Sequence, residues 1–588
     1  MNRLFLLFIA VLALLPVLPT PEFWLTQANY IGLFSIVALG LVLLTGVGGM
    51  TSFGQAAFVG LGAYASAYLS TAMGLSPWLG LLAGVAVSIG VALVLGALTM
   101  RLSGHYLPLG TIAWGLSFFY LFGNMEMLGK FDGISGIPPI TLLGYPLRAS
   151  QDIFYLIWAV VVLAVWATQN LLDSRPGRAI RALKGGAVMA EAMGARTVWF
   201  KLVCFVVAAV LASISGWLYA HMQRSVNPTP FGLNAGIEYL FMAVIGGAGQ
   251  VWGALWGAAL VTLLKDQLQT WLPRLFGETG NFETIVLGLL LVVLLQYARN
   301  GLWPYLAALW PSRSRTPSPG TPASDAAPLP ARVRPTAGQA LLVVQGARKE
   351  FGGLVAVNDM CFEVRAGEVV GLIGPNGAGK STMFNLITGV LEVTRGEIHY
   401  GGQPIHNRPS REIVRRGIAR TFQHVKLLGT MSVLENVALG AHLRGHAGVL
   451  RSMLRLNRGE ETRLLAEAQR QLARVGLAHL MHEPAGSLAL GQQRLLEIAR
   501  ALCCDPALLL LDEPAAGLRY KEKVALAELL NRLRSEGMSV LIVEHDMDFV
   551  MNLCDRLVVM EFGTLIAQGV PSAVQQDPAV LEAYLGGL

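Results

Sequence analysis

The chain has 588 residues, of which 54% are hydrophobic and only 14% charged, with a formal net charge of +7. That length exceeds what one core supports, and the apolar excess excludes an ordinary soluble protein. So small a positive balance gives no ground for nucleic-acid binding, because basic loops on one side of a membrane produce it equally well. The five cysteines (Cys204, Cys361, Cys503, Cys504, Cys554) show neither a CxxC pair nor zinc spacing, so neither a metal cage nor a disulfide framework is expected.

In chain order, LFLLFIAVLALLPVL after Arg3 reads as a first membrane helix rather than a signal peptide, since no clear small-residue cleavage site follows and further spans begin at once. Those spans lie near residues 30–47, 56–73, 78–100, 106–123, 152–171, 199–220, 236–247, 251–265 and 282–298, each long enough, or nearly so, to cross a hydrocarbon core as a helix. Small residues, as in GLGAYASAYLSTAMG, allow close helix packing. Arg175, Arg178, Arg181, Lys184, Arg196 and Lys201 cluster between two spans and place that loop in the cytoplasm. Arg299, Arg313 and Arg315 place the end of the apolar part there too. An even number of crossings must separate the two, which splits YLFMAVIGGAGQVWGALWGAALVTLL at GGAGQ. The expectation is a polytopic α-helical membrane domain over residues 1–311 with about ten helices and its N-terminus inside. Eight crossings result if some runs are re-entrant.

Residues 312–340 are rich in Pro, Ser, Ala and Arg and cannot bury enough apolar area to offset their ordering entropy, so a disordered linker is expected. At roughly 5–6 Å × √n its mean span is about 30 Å.

Residues 341–588 have the charge density of a soluble domain. In GEVVGLIGPNGAGKSTMFNLITG an apolar β-run leads into Gly374 and a helical pattern starts at Lys380. This strand–loop–helix order is what a phosphate loop requires. Gly374, Gly377 and Gly379, with Asn376 and Ala378 between them, let backbone N–H groups face phosphates, and the helix N-terminus at Lys380, Ser381 and Thr382 adds its dipole. Lys380 is expected to reach the outer phosphates and Ser381 to ligate Mg²⁺. ALLLLDEP is a buried strand ending in acids, with Asp512 placed to hold Mg²⁺ through water and Glu513 to orient or deprotonate an attacking water. ARTFQ brings Gln423 and VLIVEHDM brings His545, both at strand ends. In SLALGQQRLLEIARAL, Gly491 permits a tight entry into an amphipathic helix.

With these five motifs in this order, the chain from about Leu341 onward resembles the ATPase subunit of ABC transporters, an α/β P-loop fold. The resemblance implies ATP hydrolysis with Mg²⁺. It also implies that Gln423 is the Q-loop residue that joins the metal site and that Leu488, Ala489, Gly491 and Gln492 belong to the signature. It makes His545 the switch histidine and Phe351 the ring that stacks on adenine. The sequence departs from the family pattern at Ala489, where a serine is common, and at Arg519, where an aspartate is common; both changes bear on the composite site that receives this signature. The basic helical insert AHLRGHAGVLRSMLRLNRGEETRLLAEAQRQLARVGL and the tail DPAVLEAYLGG are similar to the ATPase subunits of branched-chain amino acid uptake systems. GLVLLTGVGGMTSFGQAAFVGLGAYASAYL and GRAIRALKGGAVMAEAMGARTVWFKLVCFVVAAVLASISGWLYA resemble the permease subunit of the same systems. In that family AEAMGARTVWFK would be the coupling element that docks on the ATPase.

The resemblance therefore implies a fused permease and ATPase for import of branched-chain amino acids across the bacterial inner membrane, with the ATPase in the cytoplasm. Implied partners are a second permease and a second ATPase, or a second copy of the chain, and a periplasmic binding protein. Other small solutes (another amino acid, an amide, urea, an aromatic acid) stay open, as does a membrane-anchored ATPase with a regulatory role. Trp114, Ser117 and Tyr120 are candidates either for lining the path or for packing.

Overall fold

The computed structural model describes residues 3–99, 106–276, 282–298, 300–309 and 326–585. Two compact units divide the chain. The first comprises residues 1–173, 198–318 and the short piece 453–455; the second comprises 174–197, 319–452 and 456–588.

The first unit is helical. Among the described residues, five helices are long and apolar enough to cross a membrane: Glu22–Val47, Pro77–Thr99, Tyr106–Asn124, Ser150–Leu172 and Thr197–Gln223. Shorter apolar helices cover Phe8–Val17, Leu233–Gly247 and Ile285–Leu294. The split at GGAGQ is a helical hairpin, Leu233–Gly247 against Val251–Phe276. A Cβ on Gly246 would lie 1.8 Å from the Gly253 carbonyl, and one on Gly257 1.8 Å from the Met242 carbonyl. The two backbones touch, which only glycine permits. The second helix of the hairpin runs past the expected end at residue 265. Its polar end is held by Lys265 Nζ on Glu238 Oε1 at 2.6 Å and by Gln27 Nε2 on Asp266 Oδ1 at 3.0 Å, contacts that hydropathy does not register. Of the candidate path residues, Tyr120 is exposed, and the Ser117 hydroxyl donates to the Ala113 carbonyl of its own helix.

The second unit is built on a six-stranded sheet in the order Ile418–Arg420, Leu508–Asp512, Ser539–Val543, Val369–Ile373, Arg556–Glu561, Thr564–Gly569. The first five strands are parallel and the last is antiparallel. A buried strand must satisfy two faces, and its side chains alternate between them. Leu509 and Leu511 pack with Leu496, Ile498, Leu526 and Leu530 in one core. Leu508 and Leu510 pack with Met383, Phe384 and Ile387 in another. That second core is closed by a four-stranded antiparallel sheet in the order Leu354–Arg365, Ala340–Phe351, Arg395–Tyr400, Gln403–Pro404. The basic insert forms the helix Arg458–Arg474, preceded by a short turn at Ala441–Arg444.

Of the disordered linker expected over 312–340, residues 312–325 lie outside the described residues, and the C-terminal end is held on the cassette. Leu329 is buried in the first of these cores, and Arg332 and Arg334 hydrogen-bond to backbone around Asp505. Composition averages over a stretch, and one leucine with two well-placed guanidinium groups is enough to anchor it.

Candidate nucleotide-binding site

Parallel sheets present ligands at the carboxyl ends of their strands, where the connections leave the sheet. Val369–Ile373, Leu508–Asp512 and Ser539–Val543 are adjacent, and just beyond them stand Gly374, Glu513 and His545. The loop from Gly374 enters the helix Lys380–Ile387. Gly374, Gly377 and Gly379 have φ of 152°, 84° and 98°, backbone that a side chain would strain. Space is closed as well: a Cβ on Gly374 would lie 2.0 Å from the Met560 carbonyl, and one on Gly379 2.3 Å from the Ala356 carbonyl. Asn376, Gly377 and Ser381 are exposed at this loop, Thr382 is half-buried, and Ala378 is buried.

Lys380 is buried, and its Nζ donates to the carbonyls of Gly374 and Pro375, both at 2.8 Å. Burial lowers its pKa, while Glu513 and Asp512 pull it back up. Asp512 is also buried. Its Oδ2 lies 3.8 Å from the Arg420 guanidinium, and its Oδ1 has no hydrogen-bond partner among the described residues. Burial raises its pKa, and Arg420 offsets this in part. A buried carboxylate oxygen with no donor facing it suits a cation, so the residues fit a divalent metal here.

Glu513 is the junction of the site. Its Oε1 accepts from Gln423 Nε2 at 3.1 Å and lies 3.0 Å from His545 Nε2. Its backbone is left-handed, φ 48°, a conformation that costs a non-glycine residue roughly 1–2 kcal/mol. The strain is held in place because the Glu513 N–H donates to the Val543 carbonyl at 2.8 Å. Glu544, which sequence reasoning missed, fixes the next turn. It is buried, and it accepts from Ala515 N–H at 2.5 Å and from His545 N–H at 3.1 Å. Burial raises its pKa against these backbone donors. Thr421, also missed, accepts from the Asp512 N–H through its hydroxyl at 3.3 Å. The only sequence signal for either residue was its place beside a motif.

Phe351 ends its strand 45% exposed, with Lys349 Nζ 5.1 Å from its ring centre, so it is not a core residue. The signature segment opens the helix Leu490–Leu502. Leu488 and Gly491 are buried, and Ala489 is exposed. Gln492 Oε1 accepts from the Ala489 N–H at 3.1 Å, so the side chain that caps this terminus comes from within the helix. A Cβ on Gly491 would lie 2.5 Å from Glu522 Oε1, and Glu522 caps the helix that begins after Arg519. Among the described residues no hydrogen bond joins Leu488–Gln492 to the loop Gly374–Thr382. The helix is instead tied to the segment on either side of Gln423. Arg494 donates to the Phe422 carbonyl, Glu497 accepts from the Lys426 N–H, and Arg500 donates to the Lys426 carbonyl. Glu497 and Arg500 form an ion pair at 3.0 Å, each side chain 1% exposed.

Of the basic cluster that marked a cytoplasmic loop, Arg175, Arg178, Arg181, Lys184 and Arg196 form part of this second unit, and Lys201 belongs to the first. Arg175–Leu183 and Ala187–Ala192 are helices. Arg175 donates to the carbonyls of His442 and Ala447, both at 2.7 Å, Arg178 pairs with Glu461, and Arg181 pairs with Glu435 at 2.7 Å. Burial alone would raise the pKa of Glu435, but Arg181 and Ser432 hold it below the usual carboxylate range. The piece AEAMGARTVWFK adds Met193 against Cys504 and Gly194 against Leu443.

A family profile described as "branched-chain amino acid transport system / permease component" matches residues 23–295. A profile described as "ABC transporter" matches 357–516, and one described as "branched-chain amino acid ATP-binding cassette transporter" matches 564–587. The chain is 43% identical over 251 residues to the high-affinity branched-chain amino acid transport ATP-binding protein LivG of Salmonella typhimurium, which covers 42% of this chain and 98% of that protein. It is 42% identical over 249 residues to BraF of Pseudomonas aeruginosa, a protein of the same description, with the same coverage. To the probable LivG of Archaeoglobus fulgidus it is 37% identical over 246 residues, 42% of this chain and 95% of that one. The apolar helices make it a multi-pass membrane protein, and the cassette makes it an ATP hydrolase coupled to transport. The chain belongs to the branched-chain amino acid ABC transporters and carries the permease and the ATP-binding cassette in one polypeptide.

Proposed function

We propose that the chain is an importer subunit that takes up branched-chain amino acids across the bacterial inner membrane. About ten helices of the first 311 residues would form the membrane passage. ATP lies along Gly374–Thr382, with its base on Phe351 and its outer phosphates drawn to Lys380. Ser381, Asp512 and Gln423 would hold Mg²⁺, which would supply positive charge to screen the phosphates. Glu513 takes the proton of the attacking water as the bond between the terminal phosphate and ADP breaks, and His545 and Gln423 keep that carboxylate in line. Leu488–Gln492 serve the phosphate loop of a second cassette. Closure and opening of the cassette pair move the loop Ser174–Thr197, and with it the membrane helices, between inward- and outward-facing populations. A second permease, a second ATPase and a periplasmic binding protein complete the assembly.

The observation that carries this reading is the Glu513 carboxylate, held between Gln423 and His545 beside Asp512, whose Oδ1 has no hydrogen-bond partner among the described residues. The test is uptake of labelled leucine, isoleucine and valine by cells expressing the system, with ATPase measured on the purified assembly. Glu513→Gln is expected to keep ATP binding and to lower the hydrolysis rate by about 10²–10⁴, and uptake should stop with it. Uptake of none of the three, with ATPase intact, would move the substrate to another small solute. Uptake that survives Glu513→Gln would overturn the mechanism.

A further inference from the structure

The stretch Leu329–Arg334 does more than end a tether. Arg332 donates from Nε to the Asp505 carbonyl at 3.2 Å, and from its two terminal nitrogens to the Arg416 and Arg415 carbonyls at 2.7 and 2.9 Å. Its backbone N–H donates to Asp505 Oδ2 at 2.5 Å. Arg334 reaches Asp505 Oδ1 at 3.1 Å and also the Pro506 carbonyl. The Pro330 carbonyl accepts from Arg444 at 3.1 Å, and Leu329 is 6% exposed. These contacts gather at the starts of the strands Ile418–Arg420 and Leu508–Asp512, the ends away from the nucleotide site.

The turn before Leu508–Asp512, together with Ala441–Arg444, also holds the loop Ser174–Thr197. Met193 Sδ lies 4.0 Å from Cys504 Sγ, and a Cβ on Gly194 would lie 2.2 Å from Leu443. Leu443 and Cys504 thus meet the loop, while their chain neighbours Arg444 and Asp505 meet the linker end. Arg444 joins the two sets, pairing with Glu467 at 3.3 Å and donating to the Cys503 carbonyl at 3.4 Å.

We propose that Leu329–Arg334 is a strap that pairs the permease loop and the cassette of one polypeptide in cis, so that Ser174–Thr197 sits on its own cassette and not on that of another chain. A plain tether raises local concentration and leaves orientation open. The strap fixes where the tether enters, one residue from the seat of the loop. The proposal rests on reading Ser174–Thr197 as the coupling element.

The test uses the full chain with Cys204, Cys361, Cys503 and Cys554 replaced by alanine and Met193→Cys facing the native Cys504, joined with a short bifunctional thiol reagent. With the strap intact, the adduct is expected within one chain, without a change in mass class. In Arg332→Ala/Arg334→Ala the intrachain yield is expected to fall about fivefold or more, with ATP binding retained as evidence of fold. Lengthening the linker with a Gly/Ser insertion after Ser318, upstream of the strap, is expected to leave the yield unchanged. An intrachain yield insensitive to the arginine substitutions, or an adduct to another chain with the strap intact, overturns the strap. Absence of any adduct overturns the strap together with the seat of the loop. Normal solute uptake by Arg178→Ala/Arg181→Ala, with the intrachain yield still dependent on Arg332 and Arg334, would instead sink the coupling reading and leave the strap standing.

Discussion

At the scale of single residues, Asp512 sits in a conflict that the site exploits. Its carboxylate is buried with one oxygen facing no donor, and its pKa is raised by that burial. An acid whose pKa is higher folded than unfolded binds the proton more tightly in the fold, so its ionised form costs stability above its unfolded pKa. Asp512→Asn is therefore expected to remove the stability the cassette gains as pH falls through the raised pKa, read as its thermal midpoint against pH, while ATPase activity is lost. The same shift sets a competition between proton and metal. As pH falls through the raised pKa, the apparent Mg²⁺ affinity in ATPase assays is expected to weaken, and to do so at a higher pH than for an exposed aspartate. Mg²⁺ titrations across a pH series read this directly. Gln423, Glu513 and His545 were legible because each ends a strand in a fixed motif, and the structure brings all three together. Glu544 was not legible. A glutamate before the histidine reads as one more strand-end acid until the pairing of Leu508–Asp512 with Ser539–Val543 puts Ala515 within its reach.

At the scale of elements, the signature helix is fastened by its side chains to both sides of Gln423, Arg494 on Phe422 and Glu497 and Arg500 on both backbone groups of Lys426. Removing one member of a buried ion pair leaves the other uncompensated, at a cost of about 3–5 kcal/mol. Arg500→Met should show this as a large drop in the denaturation midpoint, and Glu497→Gln should show a smaller one. At the entry to the same helix, Gly491→Ala should push against Glu522 and lower ATPase without lowering ATP binding to Gly374–Thr382 of the same chain. Nucleotide binding and turnover measured in parallel separate the two effects. Helix positions in the first unit were readable from apolar runs, to within a few residues at Pro77–Thr99 and Ser150–Leu172. The tail of the helix Val251–Phe276 was not, because polar residues hold it through partners distant in sequence. Arg175, Arg178 and Arg181 were read as topology signals. Their carboxylate partners lie more than 250 residues away, and no local pattern announces them.

At the scale of the whole molecule, one chain supplies one phosphate loop and one signature, and cassettes of this family complete their sites in pairs. Purified in mild detergent, the tagged chain is expected to bring a second permease and a second ATPase in equal amounts. A bare homodimer would make both composite sites use Ala489 and would be seen in the mass of the complex. Arg178→Ala together with Arg181→Ala should leave ATPase present but no longer stimulated by transported solute, because the seats on Glu461 and Glu435 are lost. Solute-stimulated and basal hydrolysis, compared in vesicles, measure that difference.

The covalent joining of the two halves also governs where ATP is spent in the cell. A separately translated cassette exists for a time away from its membrane partner and can then turn over nucleotide to no purpose. Here each ribosome that makes a cassette has already made the permease that precedes it, so the two arrive in equal number and at the same bilayer. Hydrolysis is confined to the membrane surface by peptide bonds, and the dose of one half cannot drift from that of the other.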